Sequence, residues 1–142
     1  MSVLSGVLRV HDRVYKATGG RVGHRVLGVP TLLLRTVGRR SGETRTNSLV
    51  YARDGADYLV VASKGGADQP PAWLLNLEAK PEVEIQIGRD RQQGHCRVVG
   101  SSDADFARLW KIVNEENSDR YTAYQKETSR PIPVVVITPQ AR

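Results

Sequence analysis

Short segments rich in β-branched and other apolar residues, separated by Gly- and Pro-rich turns, constrain the fold of this chain most. Composition and alternation predict strands at residues 31–37, 44–53, 57–62, 83–87, 94–99 and 133–138. Asp54-Gly55 is predicted as the hairpin turn between the second and third strands. No regular alternation of strand and helix is present, which argues against a doubly wound parallel sheet. The pattern therefore predicts an α+β fold, a small antiparallel barrel with peripheral helices.

Helical periodicity is confined to the ends of the chain and to one insertion. An amphipathic, basic helix is predicted over residues 3–17, and Pro71 begins a helix that ends near residue 79. Ser102 is predicted to cap a helix over residues 103–116, and a short helix follows over 119–127. The 142 residues fit one domain, with residues 1–26 as an N-terminal helix and linker and 27–139 as the barrel.

Positive charge is concentrated in the first third of the chain. The net charge is +6, but residues 1–53 carry ten cations against two acids. Sixteen of the 21 cations are Arg, whose planar fork favours bidentate recognition of phosphate or carboxylate. An anionic partner is expected, and charge alone leaves nucleic acid, lipid and a small polyanion open.

Several functional classes lack their sequence signatures. The chain has no Walker A or dinucleotide-binding glycine motif, and its three His residues are not spaced as metal ligands. Aromatic residues make up only 6%, which argues against nucleic acid as the partner. The single Cys96 fits a reducing compartment and is predicted to be a small buried apolar residue. Without a secretory signal or a membrane-length apolar run, a cytoplasmic location is expected. The basic first helix either contacts anionic lipid at the inner face of the membrane or covers the barrel.

Two glycine-rich turns are candidate anion sites. Gly38-Arg39-Arg40-Ser41-Gly42, followed by Arg45, combines flexible backbone, a hydroxyl and three guanidinium groups. Ser63-Lys64-Gly65-Gly66 follows a predicted strand and again joins a hydroxyl to a cation. The alternative for each is an exposed polar loop.

Aromatic residues in two helices are the other candidates. Trp73 either walls a planar ligand or belongs to the core, and nearby Asn76 is expected to bond backbone or ligand. Tyr121 and Tyr124 share a helical face, where they either contact a ligand or pack as partly buried residues.

Six motifs follow one another over roughly residues 27–139: GRRSGETR, DG, ASKGG, PAWLLNL, Tyr-x-x-Tyr and IPVVVI. In this order and spacing they resemble the actinobacterial deazaflavin-dependent nitroreductase family. The resemblance implies a split β-barrel of about six antiparallel strands, related to FMN-binding barrels. It also implies binding of the deazaflavin coenzyme F-420, which has a phospholactyl-oligoglutamate tail. The activity implied is hydride transfer from the reduced coenzyme to a small-molecule acceptor, namely a quinone, nitroaromatic or activated enone.

Matched residue by residue, the resemblance implies that Arg39, Arg40, Ser41 and Arg45 hold the phosphate and glutamate tail. It implies coenzyme contacts for Tyr121 and for three further segments: Thr46, Asn47, Ser48, Leu49 and Val50; Val61, Ala62, Ser63 and Lys64; and Ala72, Trp73, Leu74, Leu75 and Asn76. The family's nitro-activating members carry tyrosines where Val50 and Ser118 stand, so the resemblance favours coenzyme binding over nitroimidazole activation.

Catalytic roles are predicted for three residues. Ser63 is expected to stabilise charge that develops on the acceptor, together with nearby backbone N–H groups. Tyr121 or Tyr124 is expected to orient the acceptor or relay a proton, and no metal is required. Two rivals remain at this point: a split barrel that uses FMN, and a non-enzymatic basic module that binds lipid or another anion.

Overall fold

Antiparallel strands form one curled sheet in the part of the chain that the computed structural model describes, residues 25–26 and 29–140. The strands are β1 (Arg25–Val26), β2 (Val29–Val37), β3 (Thr44–Val50), β4 (Ala52–Asp54), β5 (Asp57–Val61), β6 (Glu82–Ile87), β7 (Asp90–Val99) and β8 (Val134–Pro139). The helices are α1 (Ala72–Ala79), α2 (Phe106–Glu116) and α3 (Arg120–Lys126), and a 3-10 turn covers Lys64–Gly66.

Pairing runs in the order β3-β2-β6-β7-β8-β5-β4, and β1 pairs with the first residues of β2. The two outer strands, β3 and β4, are separated in the chain only by Tyr51. Covalent continuity therefore holds the two edges of the sheet together and curls it into a barrel. The Tyr51 N–H still donates to the Pro30 carbonyl of β2 (3.1 Å), and the chain then pairs with β5 from Ala52 onwards. The predicted α+β split barrel with peripheral helices is confirmed.

Alternate residues of the strands form two cores on opposite faces of the sheet. Leu32, Val60 and Ile85 belong to the barrel interior, which α1 closes with Trp73 and other apolar residues. Neighbouring strand residues such as Leu59 and Val136 face outwards, where Leu109 of α2 and Tyr121 of α3 cover them. Cys96 lies in the interior core, as predicted for a small buried residue.

Strand boundaries differ from prediction where the chain changes partner or carries polar residues. The predicted strand 44–53 is broken at Tyr51, because the chain leaves β2 there and joins β5. Its hairpin turn is Gly55-Ala56 rather than Asp54-Gly55, since Asp54 already pairs with Asp57. Strand β7 begins at Asp90 instead of residue 94. Its polar start escaped prediction because the side chains bond polar neighbours, as Gln93 does with the Glu84 carboxylate (3.2 Å).

Helix α2 begins three residues later than predicted, and Ser102 does not cap it. Asp105 occupies the N-cap position without a side-chain cap bond. The Asp103 carboxylate instead accepts from the Asp105 N–H (2.9 Å), which holds the preceding residues in a turn.

The predicted N-terminal helix and its lipid contact lie outside the described residues. Within the described ranges, no helix combines the length and apolar character needed to cross a bilayer.

Candidate functional site

Strand direction brings the two glycine-rich turns to one end of the barrel. Four successive antiparallel pairings separate β2 from β5, so these strands run in the same direction. The turn Gly38–Gly42 follows the end of β2, and Ser63–Gly66 follows the end of β5. Helix α1 connects this second turn to the start of β6, which lies at the same end. Two predicted anion sites far apart in sequence are therefore neighbours of one helix.

The first turn is held closed by its own backbone. The Gly38 N–H donates to the Glu43 carbonyl (2.7 Å) and the Gly42 N–H to the Gly38 carbonyl (2.8 Å). The Ser41 hydroxyl oxygen accepts from the Glu43 N–H (3.1 Å). A Cβ at Gly38 would lie 2.7 Å from that Ser41 oxygen and 3.1 Å from the Glu43 carbonyl oxygen, so a larger residue there would displace the Ser41 hydroxyl and crowd the turn. Ser41 is thus partly used within the turn, and its O–H remains as a donor.

Asn76 ties this turn to α1. The side chain is only 4% exposed. Its Oδ1 accepts from both the backbone N–H and the Nη1 of Arg39 (3.1 Å each), and its Nδ2 donates to the Thr36 hydroxyl (3.3 Å). The expectation that Asn76 bonds backbone or ligand is met by the Arg39 backbone, and its oxygen already has two donors.

The cationic side chains of the turn face solvent. Arg39, Arg40 and Arg45 are exposed, and Arg45 contacts the Glu43 carboxylate only at 3.6 Å. Among the described residues, Arg40 has no ion-pair partner. The turn therefore presents concentrated positive charge with little internal neutralisation, which suits an anionic ligand.

The second turn has an unusual backbone. Lys64, Gly65 and Gly66 have φ values of 45°, 64° and 86°, three consecutive residues in the left-handed region. Ser63 is buried, whereas the Lys64 side chain is exposed. The Arg130 guanidinium donates to the carbonyls of residues 62, 63 and 67 and so fixes the turn. Sequence reasoning missed Arg130 because its partners lie more than 60 residues earlier.

Helix α3 packs against this turn through Gly66. A Cβ at Gly66 would lie 2.7 Å from the Tyr124 carbonyl oxygen and 2.9 Å from the Glu127 Cβ. Tyr124 is half-buried, with its ring 6.3 Å from that of Tyr121. The helix that carries both predicted tyrosines is therefore in direct contact with the Ser63–Gly66 turn.

Tyr121 itself is buried in the outer core, 6% exposed. Burial raises the pKa of its hydroxyl to about 12, an effect that a bond from Asn117 partly opposes. The phenol is therefore neutral at physiological pH and suited to donate a hydrogen bond, not to ionise. Its partner Asn117 is also buried, and its Oδ1 has no hydrogen-bond partner within the described part of the chain.

The remaining residues that the sequence predicts to contact the coenzyme lie in different parts of the fold. Trp73 and Leu74 are buried in the barrel core, so Trp73 packs as a core residue, while Ala72 is exposed and Leu75 half-buried. Val61 belongs to the outer core and Ala62 to the inner one.

Strand β3 extends away from the turn, and its residues Thr46, Asn47, Ser48, Leu49 and Val50 are half-buried. Val50 pairs with Thr31 at the far end of β2, roughly 20 Å from the turn.

Comparison with known proteins identifies the family. A family profile described as F420H(2)-dependent quinone reductase matches residues 7–139. The chain belongs to this family. It is 55% identical over 133 residues to an F420H(2)-dependent quinone reductase of Mycobacterium tuberculosis, covering 93% of this chain and 89% of the relative.

Solved structures agree on the architecture. A structure described as F420-H2 Dependent Reductase (FDR-A) superposes with a TM-score of 0.67 at 32% identity, over 76% of this chain and 93% of that one. A pyridoxamine 5'-phosphate oxidase-related, FMN binding protein of Nostoc punctiforme has a TM-score of 0.56 at 14% identity, over 98% and 81%. The second similarity shows that the fold is shared with an FMN-binding protein.

Proposed function

We propose that this protein is an oxidoreductase that binds coenzyme F-420 and transfers hydride from its reduced form to a quinone. The supporting observation is that two cationic, glycine-rich turns lie at the same end of the barrel, in a chain of the F420H(2)-dependent quinone reductase family. The named relative in Mycobacterium tuberculosis supports the same cofactor and acceptor class.

The donor set fits the chemistry of this coenzyme. A phosphate and several glutamate carboxylates need several cations, and Arg39, Arg40, Arg45 and Lys64 are all exposed at the same end of the barrel. Guanidinium groups match phosphate and carboxylate oxygens in bidentate geometry. Because Asn76 anchors Arg39, at least one of these cations is already positioned before the ligand arrives.

When bound, the reduced coenzyme supplies the hydride. The Ser63 hydroxyl would stabilise negative charge on the acceptor oxygen, while the N–H groups of its turn would face the anionic part of the coenzyme. Tyr124, half-buried beside this turn, would orient the acceptor, while the buried and neutral Tyr121 supports Tyr124 from the core side. We propose that the coenzyme contacts are those predicted from sequence, with Trp73, Leu74, Asn76 and Tyr121 acting from the buried side and the others directly: Arg39, Arg40, Ser41, Arg45, Thr46, Asn47, Ser48, Leu49, Val50, Val61, Ala62, Ser63, Lys64, Ala72 and Leu75.

Binding is tested by quenching of F-420 fluorescence. The double variant Arg40→Ala/Arg45→Ala should weaken binding by about tenfold or more, and more strongly for longer glutamate tails. Arg89→Ala is the matched control, because Arg89 is an exposed cation in the β6–β7 turn at the opposite barrel end. Wild-type protein that fails to bind F-420 at micromolar concentration would overturn the proposal. An equal loss of F-420 affinity in the double variant and in Arg89→Ala would remove the role given to the turn.

The acceptor is tested by turnover with reduced F-420 against a panel of quinones, nitroaromatics and enones. Quinones should give the highest kcat/KM. The same preparation also tests the FMN alternative, because an FMN-binding barrel would purify yellow and retain FMN in preference to F-420.

A cytoplasmic location, with the basic N-terminal segment at the inner face of the membrane, is also part of the proposal. Arg9, Arg13 and Lys16 support contact with anionic lipid. Co-sedimentation with anionic vesicles but not with neutral ones is expected, and a full chain that stays in the supernatant with both would contradict it.

A further inference from the structure

Arg130 makes an extensive set of bonds for one partly buried side chain. Its Nη1 donates to the Ala62 carbonyl (3.1 Å) and its Nη2 to the Ser63 carbonyl (3.1 Å). The Ala67 carbonyl accepts from both Nη2 (2.9 Å) and Nε (3.2 Å). All these acceptors are neutral backbone groups, so the guanidinium serves as a planar template for the turn and not as half of an ion pair.

The segment around Arg130 is itself clamped from two sides. Gln125 of α3 donates to the Arg130 carbonyl (2.8 Å) and accepts from the Ile132 N–H (2.8 Å). The Thr128 hydroxyl donates to the Asp68 carboxylate (2.7 Å) and accepts from the Arg130 N–H (3.1 Å). Arg130 is therefore held at a fixed position between α3 and the turn.

The turn requires such a template. Its left-handed backbone at Lys64, Gly65 and Gly66 is held internally by two bonds, Gly66 N–H to the Ser63 carbonyl (2.9 Å) and Ala67 N–H to the Lys64 carbonyl (3.2 Å). A non-glycine residue in this conformation costs about 1–2 kcal/mol, so Lys64 adopts it only where the surroundings enforce it.

The bonds to Arg130 also orient the N–H groups of the turn. In a trans peptide the C=O and the N–H point in opposite directions. Because the carbonyls of Ala62 and Ser63 point at the guanidinium, the N–H groups of Ser63 and Lys64 point to the opposite side. Successive N–H groups on one side of a turn form a concave anion site.

We propose that Arg130 is a positioning residue that shapes the Ser63–Lys64 anion site from behind. Its four bonds hold the carbonyls on one side so that two N–H groups face the anionic part of the ligand, beside the Lys64 ammonium. This inference takes the identity of the ligand from the proposed function. The effect of Arg130 on the backbone of the turn does not depend on which ligand binds.

The test compares Arg130→Lys with Arg97→Lys. Arg130→Lys keeps the charge but loses the fork, whereas Arg97 makes exposed ion pairs with Asp103 and Asp105 among the described residues. Arg130→Lys should raise the Kd for F-420 by about tenfold and change the KM for quinone by less than about threefold. Hydrogen exchange at the Gly66 and Ala67 amides should also become about tenfold faster in the ligand-free protein. Arg97→Lys should change none of these.

The outcomes separate the alternatives. A merely structural role would lower the unfolding midpoint and leave the Kd of the folded protein unchanged, which would overturn the proposal, as would unchanged exchange at Gly66 and Ala67. If wild-type protein does not bind F-420, the proposed function fails, and the exchange data still decide whether Arg130 holds the turn.

If Arg130→Lys does not fold, Thr128→Val removes the clamp on the same segment and should shift Kd and exchange in the same direction, by a smaller factor. No shift in that variant would also overturn the proposal.

Discussion

Asn76 is the residue on which the geometry of the arginine turn depends most directly. Replacing it by Leu removes the acceptor for the Arg39 N–H and the donor to the Thr36 hydroxyl, at a side chain that is almost fully buried. We expect Asn76→Leu to lower the free energy of unfolding by about 2 kcal/mol. Asn76→Asp keeps the acceptor oxygen for Arg39 and should cost less. Urea denaturation measures both, and equal losses in the two variants would contradict the role of the oxygen.

Cys96 illustrates how burial controls reactivity. Desolvation, with a smaller effect of Glu82, raises the pKa of its thiol from 9.0 to about 12. Because the thiolate is the reactive form, we expect alkylation of the native protein at pH 8 to be at least about 100-fold slower than in urea. The measurement is the rate of iodoacetamide labelling by mass spectrometry. Equal rates in native and unfolded protein would show that the thiol is exposed.

At the scale of elements, the contact between α3 and the Ser63–Gly66 turn can be tested with a matched pair of glycines. Both Gly65 and Gly66 have positive φ, but a Cβ at Gly65 meets nothing within 4 Å, whereas one at Gly66 collides with α3. Gly65→Ala should destabilise by about 1 kcal/mol through the backbone alone, and Gly66→Ala by about 3 kcal/mol because packing is added. Urea midpoints with unchanged m values give the comparison. Similar losses would argue against tight packing of α3 on the turn.

The elements also show what a sequence can and cannot reveal. The strands around apolar runs such as residues 133–138 were predicted within a residue, because alternation and β-branched composition are local properties. The break at Tyr51 and the polar start of β7 were not, since both depend on which strand lies alongside. At the site, motif order indicated the two turns. Arg130 carried no local signal, because its role exists only once residues 62–67 are folded beside it.

At the scale of the whole molecule, the two cores make stability dependent on pH in the alkaline range. Cys96 lies in the inner core and Tyr121 in the outer core, and burial raises the pKa of each to about 12. Their ordinary values are 9.0 and 10.0, so the unfolded chain loses these protons first as pH rises. Stability from both groups is therefore complete below pH 9 and is lost between about pH 9 and pH 12.

The double variant Cys96→Ala/Tyr121→Phe removes both buried acids. We expect it to be less stable than wild type at pH 7, because it loses packing and the bond with Asn117. Its unfolding free energy should nevertheless fall less steeply between pH 9 and 12, where each proton retained only by the folded state contributes about 1.4 kcal/mol per pH unit. Urea denaturation followed by circular dichroism at each pH gives the two curves. Parallel curves would mean that these buried groups do not cause the alkaline loss, whereas converging curves assign it to the buried thiol and phenol taken together.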